Sequence, residues 1–209
     1  MENQRRGIDR RTVVKRSLAV GGAVWVAPAV LTLETAGAEF SPPGATTLYL
    51  RSSSSPLGSM SLSTGGVSAE SKTILMDAGT VTGQTDDTKR QGWSYQAPVG
   101  GLTIDSTIEL RLWTTGESNT TLEFTAAVYR TSSNTLPPDG TYTQLGSTGS
   151  VSWSTGPPGQ RSVSFGAIDT TIPVGEYLMV KIVNNDSVSE GDWDALWDSG
   201  NRDSHLFCA

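Results

Sequence analysis

The chain has 209 residues, 15 Lys and Arg against 21 Asp and Glu for a formal net charge of −6, one cysteine and one histidine. A lone cysteine excludes an internal disulfide framework, and the acidic balance argues against nucleic acid and anionic membranes, which both call for clustered Lys and Arg.

The first predicted element is a leader over residues 1–38. It opens with Arg5, Arg6, Arg10, Arg11, Lys15 and Arg16, and continues as an apolar run from Leu18 to Leu33, broken by Gly21, Gly22 and Pro28. Ala36-Gly37-Ala38 then reads as an A-x-A cleavage site before Glu39. A membrane anchor wants about 20 clean apolar residues, which this run does not offer. Arg10-Arg11-Thr12-Val13-Val14-Lys15 resembles the twin-arginine (Tat) export signal of bacteria and archaea, Ser/Thr-Arg-Arg-x-Phe-Leu-Lys. Asp9 stands for the hydroxyl residue, and Val13 and Val14 stand for Phe and Leu. The resemblance implies passage through the Tat translocase with Arg10 and Arg11 as the signal. It also implies a secreted, cell-surface or periplasmic destination and membrane contact only through the leader. Cleavage leaves 171 residues, room for one domain with a sizeable core. Nine basic and eighteen acidic residues remain, a net charge of −9.

Residues 39–45 form a linker, and residues 46–209 the domain. Thr46 to Arg51 predicts a first strand. Ser52 to Ser71, rich in Ser and Gly, predicts a long loop with one short strand near Leu57 to Leu62. Trp93 to Ala97 follows as a strand. From Thr107 to Thr114 the residues alternate with period two, Ile108, Leu110 and Leu112 on one face and Glu109, Arg111 and Trp113 on the other. Thr121 to Arg130 does the same, with Leu122, Phe124, Ala126 and Val128 on the apolar face. The turn-rich stretch from Thr115 to Thr120 suggests that the two form an antiparallel hairpin, with Arg111 opposite Glu123. Tyr142–Leu145, Ser150–Ser154, Arg161–Phe165 and Glu176–Asn184 complete the predicted strands. Pro137-Pro138-Asp139-Gly140, Gly156-Pro157-Pro158-Gly159 and Pro173-Val174-Gly175 punctuate them. Within Tyr177 to Val183 only Lys181 is not apolar. With no sustained helical stripe after the leader, the pattern predicts an all-β fold, a two-sheet antiparallel β-sandwich or jelly roll.

Several elements together resemble the jelly-roll accessory modules of secreted bacterial proteins. They are Leu48-Tyr49-Leu50, Trp93 with Pro98 before Gly101-Leu102-Thr103-Ile104, the Ile108–Leu112 strand, Tyr177-Leu178, Leu196-Trp197-Asp198 and Asp203-Ser204-His205-Leu206. That resemblance implies carbohydrate or surface binding, often with a structural calcium.

Two constellations are candidates for chemistry. The densest acid cluster runs from Asp192 to Asp203, and Asp192, Asp194, Asp198 and Asp203 are candidate calcium ligands, because hard cations want six to eight oxygens. EF-hand spacing fails there, since Trp197 stands where glycine is required, and a hydrated acidic loop is the competing reading. Trp113, opposite the apolar face, is the candidate ligand-binding aromatic. A Ser/His/Asp triad would have to use His205, and no G-x-S-x-G elbow presents a serine. These features point to a secreted, non-enzymatic module that binds glycan or a cell-surface partner. A structural or adhesive surface protein without a small ligand is the alternative, and a glycoside hydrolase, for which Glu109 and Glu123 could face one side of a sheet, or another hydrolase comes third.

Overall fold

A computed structural model describes residues 46–54, 56–63, 70–76, 79–184, 191–197 and 203–208. The leader, Asp198 and both export arginines lie outside the described residues.

Among the described residues there are nine strands: β1 (Thr46–Ser54), β2 (Leu57–Ser61), β3 (Glu70–Ile74), β4 (Arg90–Gln96), β5 (Leu102–Thr131), β6 (Tyr142–Ile172), β7 (Tyr177–Asn184), β8 (Trp193–Trp197) and β9 (His205–Cys208). The fold is all-β, as the short apolar alternations imply. The strands are hydrogen-bonded into one large sheet, in the order β3-β8-β5-β7-β4-β2-β1-β9, with β6 on β5. Among the described residues every pairing is antiparallel except β2 with β4.

The expected hairpin of residues 107–114 and 121–130 is corrected: both segments belong to β5, a single strand of 30 residues. Its partner throughout is β6, from Leu102 opposite Ile172 to Thr131 opposite Tyr142. The turn-like stretches are irregularities within this ribbon. The register shifts between Thr114 and Gly116 and between Gly116 and Thr121 on β5. Because Gly116 pairs with Gly156 and Thr114 with Gly159, the prolines 157 and 158 fall in a bulge and owe the ladder no N–H.

A Cβ on Gly116 would collide with the end of Leu122, and one on Gly149 with Val163. Phe124 and Trp153 meet at 5.9 Å between ring centroids, and Trp193 closes the triangle at 5.7 Å from Phe124 and 5.6 Å from Trp153. Such edge and tilted contacts suit the aromatic quadrupole.

The second half of β5 pairs with β7, while its first half pairs with β9. The path from β7 through β4, β2 and β1 to β9 then returns to β5, so the ladder closes on itself. The main core includes Leu48, Leu50, Trp93, Ile108, Leu110, Leu112, Leu122, Phe124, Phe165 and Leu206. A second apolar cluster, Val81, Ala127, Tyr129, Leu136, Met179 and Val183, covers the outer face of the β5 second half and β7.

Candidate functional site

The outward face of the first half of β5, with β9, β1 and β6 beside it, gathers the exposed chemistry. Register sets the rows. Arg111 lies opposite His205 and Ser162, and His205 opposite Tyr49. In the next row Glu109 lies opposite Phe207 and Ser164, and Phe207 opposite Thr47. Leu110, Leu206, Leu48 and Val163 alternate with these residues and are buried, which turns the polar and aromatic set outward.

On that face the charges are tied to rings. The Arg111 guanidinium sits 5.2 Å from the Phe207 ring centroid, and Arg51 sits 5.5 Å from that of Tyr49. Tyr49 and His205 rings are 5.7 Å apart. Arg51 also donates to the Ser63 carbonyl. Arg111 donates through Nε to Glu109 Oε1 at 3.1 Å. This hydrogen bond, aided by one from Ser162 and by the Arg111 and His205 charges, holds the Glu109 carboxyl below its ordinary range against a smaller opposing effect of burial. The expected pairing of Arg111 with Glu123 is thus corrected. Glu123 lies in the other half of β5 and accepts from Ser152 Oγ at 2.6 Å.

Trp113 is half-buried on the same outward face. Its main-chain N–H donates to Ser204 Oγ at 2.8 Å, and that hydroxyl donates to the Leu196 carbonyl at 2.6 Å. Buried Ser204 therefore fixes where Trp113 stands. The other four tryptophans of the domain are buried. His205 Nδ1 lies 3.0 Å from the Asp203 carbonyl. Ser162 on β6 and His205 on β9 are separated by Arg111 on β5, so the register does not set that serine against the imidazole as a triad requires.

Of the candidate calcium ligands, Asp192, Asp194 and Asp203 fall within the described residues and Asp198 does not. Residues 193–197 are β8, paired with β3, where a loop was expected. Asp192 Oδ1 accepts from the Met76 N–H at 2.8 Å and Asp194 Oδ1 from Thr73 Oγ1 at 2.6 Å, both fastening β3. Asp203 stands at the entry to β9. Among the described residues no three His, Cys, Asp or Glu side chains converge to hold a metal.

Sequence reasoning passed over a second polar cluster. Lys181 of β7 is fully buried and donates to three main-chain carbonyls, Pro137 at 2.6 Å, Gln84 at 2.8 Å and Thr82 at 3.2 Å. Buried Arg90 donates to the Gln84 carbonyl at 3.1 Å and grips Asp87 Oδ1 through Nη2 at 2.8 Å. The available signal was the single cation inside an apolar strand.

No protein-family model matches the sequence, and no curated protein matches it. Solved structures are similar to it in fold. A CocE/NonD family hydrolase from Staphylococcus aureus is similar with a TM-score of 0.58 at 12% identity, over 78% of this chain and 36% of that one. An aminopeptidase from a marine sediment archaeon, Thaumarchaeota archaeon, gives 0.60 at 9% identity, over 80% of this chain and 37% of that one. An α-amino acid ester hydrolase gives 0.54 at 10% identity, over 78% and 35%. This chain therefore spans little more than a third of the length of each. The likenesses correct the expectation of a non-enzymatic module for glycan or a cell-surface partner: the architecture is one found in hydrolase chains.

Proposed function

We propose that this chain works as the all-β part of a hydrolase, with bond cleavage carried out by a catalytic unit other than the described residues. The observation that carries the reading is the asymmetry of the match. Nearly four fifths of this chain aligns with little more than a third of each hydrolase. No G-x-S-x-G elbow is present in the sequence, which is consistent with a catalytic nucleophile elsewhere. Two of the similar structures are named for acyl groups that carry an α-amine, so α-aminoacyl esters and amides are the substrates to test first.

The Tyr49, His205, Arg111, Phe207 and Trp113 face is the surface we assign to contact with the catalytic unit. Arginine and aromatic side chains dominate the centres of protein interfaces, and here they are already ordered by stacking and by the Arg111–Glu109 pair. In the same reading, the fold-over of β5 and β6 builds two facing layers, a jelly-roll sandwich. The twin-arginine leader sends the folded chain out of the cytoplasm.

The full chain, isolated from its native cells without denaturation, should co-elute with hydrolysis of an aminoacyl p-nitroanilide or an α-amino acid p-nitrophenyl ester. Arg111→Ala should shed that activity from the eluted fraction while leaving the melting temperature of the chain nearly unchanged. Absence of any co-eluting hydrolysis, or turnover by the recombinant chain alone, overturns the division of labour.

A further inference from the structure

Residues 79–89 run as a strap over the outer face of β4, β5 and β7. The strap makes its own turns: the Gln84 N–H donates to the Thr80 carbonyl at 3.0 Å, and the Lys89 N–H to the Asp86 carbonyl at 3.0 Å. Its amides are further served by Thr80 Oγ1, Gln84 Oε1 and Asp86 Oδ1. The carbonyls are served differently. Thr82 and Gln84 accept from Lys181 of β7, Gln84 also accepts from Arg90 of β4, and Asp87 accepts from Lys72 of β3 at 2.6 Å. Three strands thus each send one cation to the main chain of the same eleven-residue segment. Under the strap, Val81 packs with Ala127, Tyr129, Met179 and Val183, and Tyr129 Oη meets Thr82 Oγ1 at 2.8 Å.

We propose that residues 79–89 form a pH-sensitive strap, which closes on the sheet in alkaline medium and loosens as the medium acidifies toward and below neutrality. The geometry sets the sign. Lys181 is buried among neutral carbonyls, with Arg90 sharing two of them, Gln84 and Pro137, so closing the strap over a protonated amine removes its hydration without supplying a carboxylate partner.

The charged and titratable groups around it come from every packed element. They are Arg90 of β4, Lys72 of β3, Tyr129 of β5, Asp139 of the loop after β5, and Asp86, Asp87 and Lys89 of the strap. Asp87 is engaged by Arg90 and Asp86 by Lys89, and the remaining Asp139 only partly offsets burial at Lys181. Burial, with help from Arg90, pushes the Lys181 ammonium down to about 7. Burial likewise lowers Lys72 to about 8, against the opposing pull of Asp87 and Asp86. An amine freed from the strap returns toward 10.5, so the open form holds more protons between about 7 and 10. Linkage then requires the closed form to gain on the open one as pH rises through that window, and to be weakest below it.

A thiol placed under the strap reads this directly. In the full chain carrying Val81→Cys and Cys208→Ser, the labelling rate is divided by that of a free cysteine peptide at each pH, which removes the thiol's own ionisation. The corrected rate should be about tenfold or more higher at pH 7 than at pH 9. The slope should flatten in Lys181→Met, and in Lys181→Arg, whose charge does not titrate in this range; Lys72→Met should flatten it by a smaller amount. A pH-independent corrected rate, a rise with pH, or an unchanged slope in both Lys181 variants overturns the proposal. So does a Val81→Cys thiol that opens no more often than the Leu110 amide exchanges, since that would mean opening only by global unfolding.

Discussion

Single side chains carry distinct weights in this fold, and alternation along β5 predicts which. Leu110 and Phe124 are fully buried in the main core. Leu110→Ala or Phe124→Ala should each lower unfolding free energy by about 2–5 kcal/mol in a denaturant titration. Thr125 is partly exposed and shares a 2.8 Å hydrogen bond with Ser150 on the surface, so Thr125→Ala should cost no more than about 1 kcal/mol. Glu109 is the residue whose charge state answers to one neighbour. Its carboxyl is held low chiefly by Arg111, so the pairing contributes stability above the ordinary glutamate range and loses it as pH falls through the lowered value. In Arg111→Ala the Glu109 titration followed by NMR should move back up, and an unmoved curve would assign the shift to something else. Cys208 behaves in the opposite sense, because burial pushes its thiol up to about 11. Native chain at pH 8 should therefore alkylate far more slowly than chain in denaturant.

At the level of strands, positive-φ glycines in β6 offer an internal comparison. Gly146 and Gly166 both have φ in the left-handed region, 66° and 82°. Only Gly146 is crowded: a Cβ there would run into the Phe165 carbonyl oxygen, whereas Gly166 has open space. Gly166→Ala should cost about 1–2 kcal/mol for backbone strain alone, and Gly146→Ala measurably more, since a main-chain atom cannot step aside. Comparable melting temperatures for the two variants would show that the bulge relaxes. These same bulges explain which elements were legible from sequence. Period-two alternation placed the main-core face of residues 107–114 and 121–130 correctly, but the opposite face of 121–130 is covered too, with Ala127 and Tyr129 fully buried in the second apolar cluster. Continuity was hidden, because Thr115 to Thr120 and Gly156 to Gly159 carry turn residues for a bend within a ribbon, and a bend and a turn draw on the same chemistry. The strand at Trp193–Trp197 was concealed by its acids. Locally Asp192 and Asp194 read as parts of an acidic loop, and only the pairing with β3 reveals them as acceptors for Met76 and Thr73. The side of the strand that Trp113 takes was readable from parity alone. The Lys181 cluster was not, since its partners are main-chain carbonyls far away in sequence, to which side-chain patterns are blind.

For the molecule as a whole, the absence of any disulfide throws stability onto the closed sheet and its core. Export as proposed would move this sheet already folded, so a chain with Arg10→Lys and Arg11→Lys should accumulate in the cytoplasm in a protease-resistant form. Normal secretion of that variant from a Tat-competent host would point to export of the unfolded chain instead. The seam of the closed ladder lies where β1 meets β9, with Thr46 opposite Cys208 and Tyr49 opposite His205. Both ends of the domain therefore emerge at one corner, on neighbouring strands that run in opposite directions. A mechanical load applied between those ends would not shear the pair lengthwise; it would separate the rungs one after another, beginning with Thr46 and Cys208. Each strand would stay attached to its other neighbour, β1 to β2 and β9 to β5. Under tension the domain should thus yield first like a zipper at its own entrance, at low force, opening the ring into a ribbon before any buried layer is torn.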